Sequence, residues 1–243
     1  MRMAPEFGLL LDLTQTLQCF DFNKMWATLY DVMLETPKCE SVSFDEMQSV
    51  YGQCYGLYQS GLIPGDVEWA VMMFGLLGIS LTEKELMDFL KRHHATRNRY
   101  ITKPVGFRET LRSLKTVFRL AVLSNGIGQW TKNDWQLLGV QPEEFFEFEL
   151  YSSETRLLKP DAAFFEHALQ RFGFSATQCA MVGDSYEDDV IGAHYAGIVS
   201  VWISSEDFPQ SKADFMISAF EDLTKISAKI EAMLAARVGE QSK

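Results

Sequence analysis

Short apolar runs alternate with longer segments of helical periodicity from about residue 107 onward, and this alternation constrains the fold more than any other feature of the sequence. The runs "RLAVL", "CAMV" and "VSVWI" have the length and apolar character of buried strands. Strands that alternate with helices of this length form parallel sheets covered by helices on both faces. The pattern therefore predicts an α/β fold with a parallel sheet.

The predicted elements of this core can be given by residue number. Strands are expected over residues 7–13, 119–123, 148–151, 179–182, 199–203 and 213–218. Helices are expected over residues 107–116, 130–138, 161–172, 187–196 and 221–236. The first strand stands apart from the others, because the alternation resumes only after residue 100.

Between residues 23 and 94 the strand signals disappear and four helical stretches follow one another, over residues 24–34, 44–58, 67–77 and 83–92. Two of them begin with the capping-box pattern, in which a Ser or Thr precedes a Glu by three residues, at Ser43 and Thr82. An all-helical segment that interrupts an α/β pattern is expected to be an inserted cap. We predict a cap over residues 21–99 and a core made of residues 1–20 and 100–243.

Polar residues follow the predicted strands at the points where the strands end. Asp12, Ser124 with Asn125, and Asp184 occupy such positions, and Lys159 lies in the loop after the short strand 148–151. Open parallel sheets bind their ligands at the carboxyl ends of the strands. Each residue taken alone is typical of a turn or a helix start. Together they predict a binding site at one edge of the sheet.

Composition and charge exclude several classes of protein. The chain is 47% hydrophobic and 23% charged, which favours a globular fold, and its net charge of −11 argues against nucleic acid as a ligand. No apolar run approaches the roughly 20 residues of a membrane helix. The four cysteines form no CxxC pair, and Asp12 interrupts the only stretch that resembles a secretory leader. We expect reduced thiols, a cytoplasmic location and no membrane partner; a monomer and a homodimer remain open.

Four motifs in this order resemble those of the haloacid dehalogenase-like (HAD) superfamily, in the subgroup with a helical cap after the first motif. They are "LLLDLTQTL", "VLSNG", "LLKPD" and "MVGDSYEDDVIGAHYAG". The resemblance spans nearly the whole chain, and the fourth motif is the most specific. It implies a Rossmann-like core, a Mg²⁺ ion, a small phosphorylated substrate and a nucleophilic aspartate that becomes a phosphoaspartate.

The resemblance also implies roles for individual residues. Asp12 is the expected nucleophile, and the expected metal ligands are Asp12, Asp184 and the backbone carbonyl of Thr14. Ser124 and the amide of Asn125 are expected to bind phosphoryl oxygens, and Lys159 to neutralise charge around Asp12 and the phosphate.

The fourth motif contains two adjacent aspartates, Asp188 and Asp189. By family spacing Asp189 matches the second acidic position better than Asp188, as an indirect or water-mediated metal contact. Asp188 and Glu187 are interpreted as ordinary acidic residues at a helix N-terminus.

The first motif departs from the family pattern at two positions. Thr14 replaces the aspartate that usually acts as general acid and base, and Gln15 replaces the usual glycine. A threonine hydroxyl cannot exchange a proton near neutral pH as a carboxylate does, a contribution worth roughly 10²–10⁴ in rate. We therefore expect a slow enzyme that favours good leaving groups, and a backbone at Gln15 that could differ from the family's.

Two other functions stay open at this point. One is a catalytically degenerate relative that still binds phosphate and Mg²⁺ but serves as a sensor or regulatory protein partner, which Thr14 favours. Intact Asp12, Lys159 and Asp184 favour an enzyme instead. A haloacid dehalogenase also lacks the second aspartate, but the carboxylates of "GDSYEDD" would repel a carboxylate substrate.

The predicted cap offers further candidates. Tyr51, Tyr55 and Tyr58 share a helical face, which either packs on the cap core or lines a cavity, and packing is favoured. His93 and His94 are expected to end a helix and to be solvated.

Overall fold

Six parallel strands form the central sheet of the protein, which a computed structural model describes over residues 5–205 and 210–241. In spatial order the strands are β5 (Glu149–Tyr151), β4 (Arg119–Ser124), β1 (Gly8–Leu11), β6 (Cys179–Gly183), β7 (Val199–Ile203) and β8 (Phe215–Ile217). All six predicted strands are present, and every neighbouring pair is parallel. The Rossmann-like α/β prediction is confirmed.

Strand β1 is apolar throughout because both faces of the sheet are covered. Leu9, Leu10 and Leu11 are fully buried. Successive side chains point to opposite faces, so Leu9 and Leu11 lie in one hydrophobic cluster and Leu10 lies in the other, with Phe164 and Phe165. A strand buried on both sides needs this continuous apolar run.

The core helices are α5 (Phe107–Leu114), α6 (Gly128–Leu137), α7 (Ser152–Thr155), α8 (Ala162–Phe172), α9 (Gly192–Tyr195) and α10 (Leu223–Gln241). The helix predicted over residues 187–196 begins instead as a π-helical turn, Tyr186–Ile191, and only then becomes α9. None of the described helices combines the length and the apolar character that a membrane span requires.

Helices α1 (Phe22–Leu34), α2 (Phe44–Gln59), α3 (Asp66–Leu76) and α4 (Glu83–Arg99) follow one another between two short strands, and we call them the helical insertion. The strands, β2 (Cys19–Phe20) and β3 (Ile101–Thr102), pair antiparallel where the chain leaves the core and returns to it. No sequence pattern predicts a strand pair this short. The predicted cap of residues 21–99 contains all four helices of this insertion. In the predicted core, residues 1–4, 206–209 and 242–243 lie outside the described residues.

Helix α4 is longer than predicted, and this changes the environment of its histidines. The prediction ended the helix at residue 92, whereas it continues to Arg99. His93 therefore lies one turn beyond Phe89 and Leu90 on the same buried face and is 0% exposed. The prediction that His93 is solvated was wrong; His94 is half-buried and bonded to Asp66.

Candidate active site

Adjacent parallel strands bring three of the predicted residues to one edge of the sheet. Asp12 follows β1, Ser124 ends β4 and Asp184 follows β6, and β1 lies between the other two strands. Lys159 reaches this edge from the loop before α8, where its ammonium group is buried. Its Nζ lies 2.6 Å from Oδ1 of Asp12 and 2.6 Å from Oδ1 of Asp189.

The carboxylates at this edge outnumber the cations. Oxygen atoms of Asp12, Asp184 and Asp189 lie within 4.8 Å of one another. Burial first, and then the charge of Asp12, raise the pKa of Asp184 to about 6. Burial alone would lower the pKa of Lys159, but Asp12 and Asp189 outweigh it and raise that pKa. Three carboxylates and one ammonium carry a formal charge of −2, and such oxygen clusters suit Mg²⁺.

Asp189 is more closely engaged than the sequence indicated. Besides its ion pair with Lys159, its Oδ2 accepts a hydrogen bond of 3.0 Å from the backbone N–H of Ser185. Burial raises the pKa of the Asp189 carboxyl, and Lys159 opposes that shift. Gly183 leaves room for this carboxylate, since a Cβ there would lie 2.0 Å from Oδ2 of Asp189.

Asp188 also lies in the site, although the sequence suggested only an acidic helix start. Its carboxylate accepts a hydrogen bond of 3.2 Å from Nδ2 of Asn125 and lines the cavity described below. The π-helical turn of residues 186–191 is wider than an α-helical turn and contains both aspartates. Two consecutive residues can therefore face the site, which no residue spacing in the sequence signalled.

The side chain of Asn125 fixes the loop that carries Lys159. Its Oδ1 accepts from the Lys159 backbone N–H at 2.7 Å, and its Nδ2 donates to the Lys159 carbonyl at 2.7 Å. Because the side-chain amide of Asn125 is engaged with the Lys159 backbone, its backbone N–H is the donor available for a phosphoryl oxygen. Gly126 lies beside it, and a Cβ there would lie 3.0 Å from the Ser124 hydroxyl oxygen, which would have to shift.

Gln15 adopts the left-handed backbone conformation that glycine would favour, with φ of 60°. For a residue with a Cβ this conformation costs about 1–2 kcal/mol. The Gln15 side chain opposes the cost by accepting from the Phe20 N–H at 2.8 Å and donating to the Phe20 carbonyl at 3.4 Å. Thr14 precedes it and lines the cavity beside Asp12. The backbone at Gln15 therefore does not depart from a glycine-like geometry.

A cavity of about 380 Å³ opens above these residues, within the range of small-molecule sites. Its floor is formed by Asp12, Ser124, Asn125, Lys159 and Asp184. Its upper walls come mainly from the helical insertion and include Trp26, Tyr51 and Tyr55. The tyrosine face of α2 both packs in the core and lines the cavity. Tyr51 and Tyr58 are buried, whereas Tyr55 is half-buried and faces the cavity.

Charged contacts join the helical insertion to the core beside this cavity. Arg97 donates to both carboxylate oxygens of the buried Asp134, at 2.5 and 2.6 Å. Asp66 accepts from Trp130 Nε1 at 2.6 Å and contacts His94 Nε2 at 2.9 Å. None of these residues was singled out from the sequence as a partner of another, because the partners lie far apart in the chain.

Comparison with known proteins shows which family this chain belongs to. A family model described as haloacid dehalogenase-like hydrolase matches residues 10–203. The chain is 37% identical over 100 residues to a glyceraldehyde 3-phosphate phosphatase of Methanothermobacter thermautotrophicus, which covers 40% of this chain and 42% of that protein. It is 33% identical over 108 residues to a phosphoserine phosphatase of Thermus thermophilus, which covers 43% and 42%. The chain thus spans less than half the length of these relatives.

Solved structures extend the likeness over nearly the whole fold. A 2-haloacid dehalogenase from Pseudomonas syringae superimposes with a TM-score of 0.70 at 22% identity, over 93% of this chain and 99% of that one. A HAD family enzyme from Bacteroides thetaiotaomicron, in complex with magnesium and inorganic phosphate, superimposes with a TM-score of 0.62 at 20% identity, over 83% and 96%. At these identities the likeness establishes the fold.

Proposed function

The chain belongs to the haloacid dehalogenase-like hydrolase family, and on that premise we propose that it is a Mg²⁺-dependent phosphatase or phosphotransferase that forms an aspartyl phosphate on Asp12. Its substrate is a small phosphorylated metabolite in the cytoplasm, and the helical insertion acts as the cap that closes over it. The observation that carries the proposal is the buried Lys159, whose ammonium group contacts both Asp12 and Asp189 beside Asp184.

The donor set fits a magnesium ion. Asp12, Asp184 and the carbonyl of Thr14 would hold it, with Asp189 beside them engaged with Lys159. When bound, Mg²⁺ would reduce the repulsion between the attacking carboxylate and the phosphate dianion. The excess of carboxylates and the raised pKa of Asp184, caused first by burial and then by Asp12, support a cation at this place.

In the first step a carboxylate oxygen of Asp12 attacks phosphorus. The new oxygen–phosphorus bond forms as the bond to the leaving-group oxygen breaks, and the leaving group departs with that electron pair. Lys159 and the donors at Ser124 and Asn125 stabilise the charge on the phosphoryl oxygens during the transfer. These donors are fixed in place before the substrate arrives, because the Asn125 side chain holds the Lys159 backbone.

In the second step a water oxygen attacks the same phosphorus and the bond to Asp12 breaks, which returns the electron pair to the carboxylate. Inorganic phosphate leaves, and one water proton must pass to a base. Thr14 stands where the family usually has that base, and it cannot take the proton near neutral pH. Dephosphorylation is therefore slow, and a leaving group that is a stable anion is favoured in the first step.

One second candidate is favoured by a specific observation. Thr14 and the missing acid–base group fit a protein that binds phosphate without turnover. A haloacid dehalogenase is disfavoured, because Asp184, Asp188 and Asp189 surround the nucleophile and would repel a carboxylate substrate.

Replacement of Asp12 tests the proposal. Asp12→Asn keeps the shape but removes the nucleophile, so hydrolysis of acetyl phosphate and p-nitrophenyl phosphate with Mg²⁺ should disappear. Glu143→Gln, which removes an exposed carboxylate outside the four motifs, is the matched control and should behave as wild type. Residual turnover in Asp12→Asn above background would show that another group attacks. Wild-type protein that binds phosphate but never hydrolyses an ester would favour the binding candidate.

A further inference from the structure

Part of the cavity lining consists of aromatic rings, and we call this part the aromatic compartment. Four rings form a continuous wall: Trp26, Tyr51, Tyr55 and Trp130. The Trp26 and Tyr51 ring centroids lie 4.8 Å apart, those of Tyr51 and Tyr55 lie 6.2 Å apart, and those of Tyr55 and Trp130 lie 5.9 Å apart. Because Trp26 and Tyr55 are only half-buried, their rings present surface to the cavity.

Two further rings, with Met25, line the cavity. Phe20 and Phe22 stack with their centroids 5.7 Å apart, and both belong to the cavity lining. Phe22 is 39% exposed although it is a large apolar side chain. Apolar rings left accessible in a cavity indicate a ligand that covers them.

The charges of the lining make the compartment unsuited to a second acidic group. Among the cavity-lining residues that the structure describes, the cationic side chains are Lys159 and Arg97. Lys159 forms ion pairs with two carboxylates at the floor. Both terminal nitrogens of the Arg97 guanidinium donate to the carboxylate of Asp134. A substrate carboxylate placed among the rings would find no cation that is not already paired.

We propose that the aromatic compartment holds a planar aromatic leaving group, so that the substrate is a phosphate monoester of a phenol or a related aromatic hydroxyl. The inference rests on the proposed phosphatase function and names its substrate class. Aromatic rings pack edge-to-face or offset against other rings with a gain beyond simple burial. A phenolate is also a stable anion, since phenols ionise near pH 10, and it can leave without the proton that Thr14 cannot supply.

Non-hydrolysable phosphonates test the compartment separately from the chemistry. The measurement is calorimetric titration of the wild-type protein with Mg²⁺ and phenylphosphonate, cyclohexylphosphonate or methylphosphonate. We expect phenylphosphonate to bind about tenfold more tightly than methylphosphonate and more tightly than cyclohexylphosphonate, which is apolar but not planar. Equal affinity for the three would overturn the inference while leaving the phosphate site intact.

A pair of glycine variants gives a matched control. Gly52 lines the cavity between Tyr51 and Tyr55, and a Cβ there would meet no atom within 4 Å; the same holds for Gly56, one helical turn on, which is outside the lining. Both are helical, so neither Gly52→Leu nor Gly56→Leu should destabilise the fold. Gly52→Leu should weaken phenylphosphonate binding about tenfold and methylphosphonate binding much less, whereas Gly56→Leu should change neither.

The two proposals fail in different ways. If no phosphonate and no inorganic phosphate binds, and no ester or acyl phosphate is hydrolysed, the phosphatase proposal fails and the substrate class fails with it. If methylphosphonate binds and acetyl phosphate is hydrolysed but phenylphosphonate has no advantage, only the substrate class fails. If Gly52→Leu affects all three phosphonates alike, the compartment does not hold the organic group.

Discussion

The floor and the upper walls of the cavity are built by opposite means. At the floor, Asp12, Lys159 and Asp189 are buried charges joined by ion pairs of 2.6 Å. They come from the end of β1, the loop before α8 and the π-helical turn of residues 186–191. The walls consist of rings such as Trp26 and Tyr55 that come largely from the helical insertion and carry no charge. Under the proposed function, the charges at the floor serve phosphoryl transfer with many leaving groups, and the packing in the walls selects the leaving group that fits.

The two regions also differ in how they are held. The floor depends on contacts within the core, such as the bonds between Asn125 and the Lys159 backbone. The walls depend on the contact of the insertion with the core, where Arg97 and Asp134 form a buried ion pair. Substitutions of floor residues should therefore abolish hydrolysis. Substitutions that break the contact between the insertion and the core should instead change the free energy of unfolding.

Lys159→Ala should have the largest effect, because it removes the cation that Asp12 and Asp189 share. Loss of one preorganised charge at a developing oxyanion costs about 10²–10³ in kcat, and here the carboxylates lose their partner as well. The measurement is Mg²⁺-dependent hydrolysis of acetyl phosphate. Wild-type turnover in this variant would place the phosphate site elsewhere.

Asp134→Ala should cost about 3–5 kcal/mol in the free energy of unfolding, because it leaves the Arg97 charge buried without a partner. The matched control is Glu147→Ala, which breaks the partly exposed pair with Arg119 and should cost at most about 1 kcal/mol. Denaturant titrations of both variants give the comparison. Equal costs would show that the Arg97–Asp134 pair does not hold the insertion to the core.

His93, behind the Tyr51 ring, gives a smaller and pH-dependent effect. Burial first, and then the charges of His94 and Arg97, lower the pKa of His93 from 6.5 to about 3. Below pH 6.5 the unfolded chain binds a proton that the folded chain does not, so the free energy of unfolding should fall by roughly 1 kcal/mol per pH unit as pH decreases toward 3.

His93→Phe, which fills a similar volume, should remove this slope. Denaturant titrations of both proteins at pH 7 and pH 5 measure it, and the difference between them cancels the other titrating groups. Parallel pH dependences for the two proteins would contradict a neutral, buried His93.

Much of the fold and the floor could be predicted from the sequence, because both depend on local pattern. Strand β1 is a continuous apolar run, and parallel strands place Asp12, Ser124 and Asp184 at one edge whatever the loops do. The pairing of Arg97 with Asp134 could not be predicted, since 37 residues separate two charges that any surface could carry.

The predictions that missed features of the cavity and its surroundings also have physical explanations. His93 lies on the apolar face of Leu86, Phe89 and Leu90, so the spacing did contain a signal that it is buried. The role of Asp188 depends on a π-helical turn that leaves no pattern in the sequence. For Tyr51 and Tyr55, a ring that packs and a ring that lines a cavity have the same helical spacing.

Rapid-quench labelling of the wild type, Thr14→Asp and Thr14→Val tests the central claim. The claim is that Asp12 accepts the phosphoryl group and that dephosphorylation is slow because Thr14 cannot act as the base. Each protein is mixed with Mg²⁺ and acetyl phosphate, and phosphorylation of Asp12 is followed by peptide mass spectrometry. The wild type and Thr14→Val should accumulate phosphorylated Asp12 and release phosphate slowly. Thr14→Asp should dephosphorylate about 10²-fold faster. If the wild type turns over without a phosphorylated Asp12, and Thr14→Asp changes no rate, the account is contradicted.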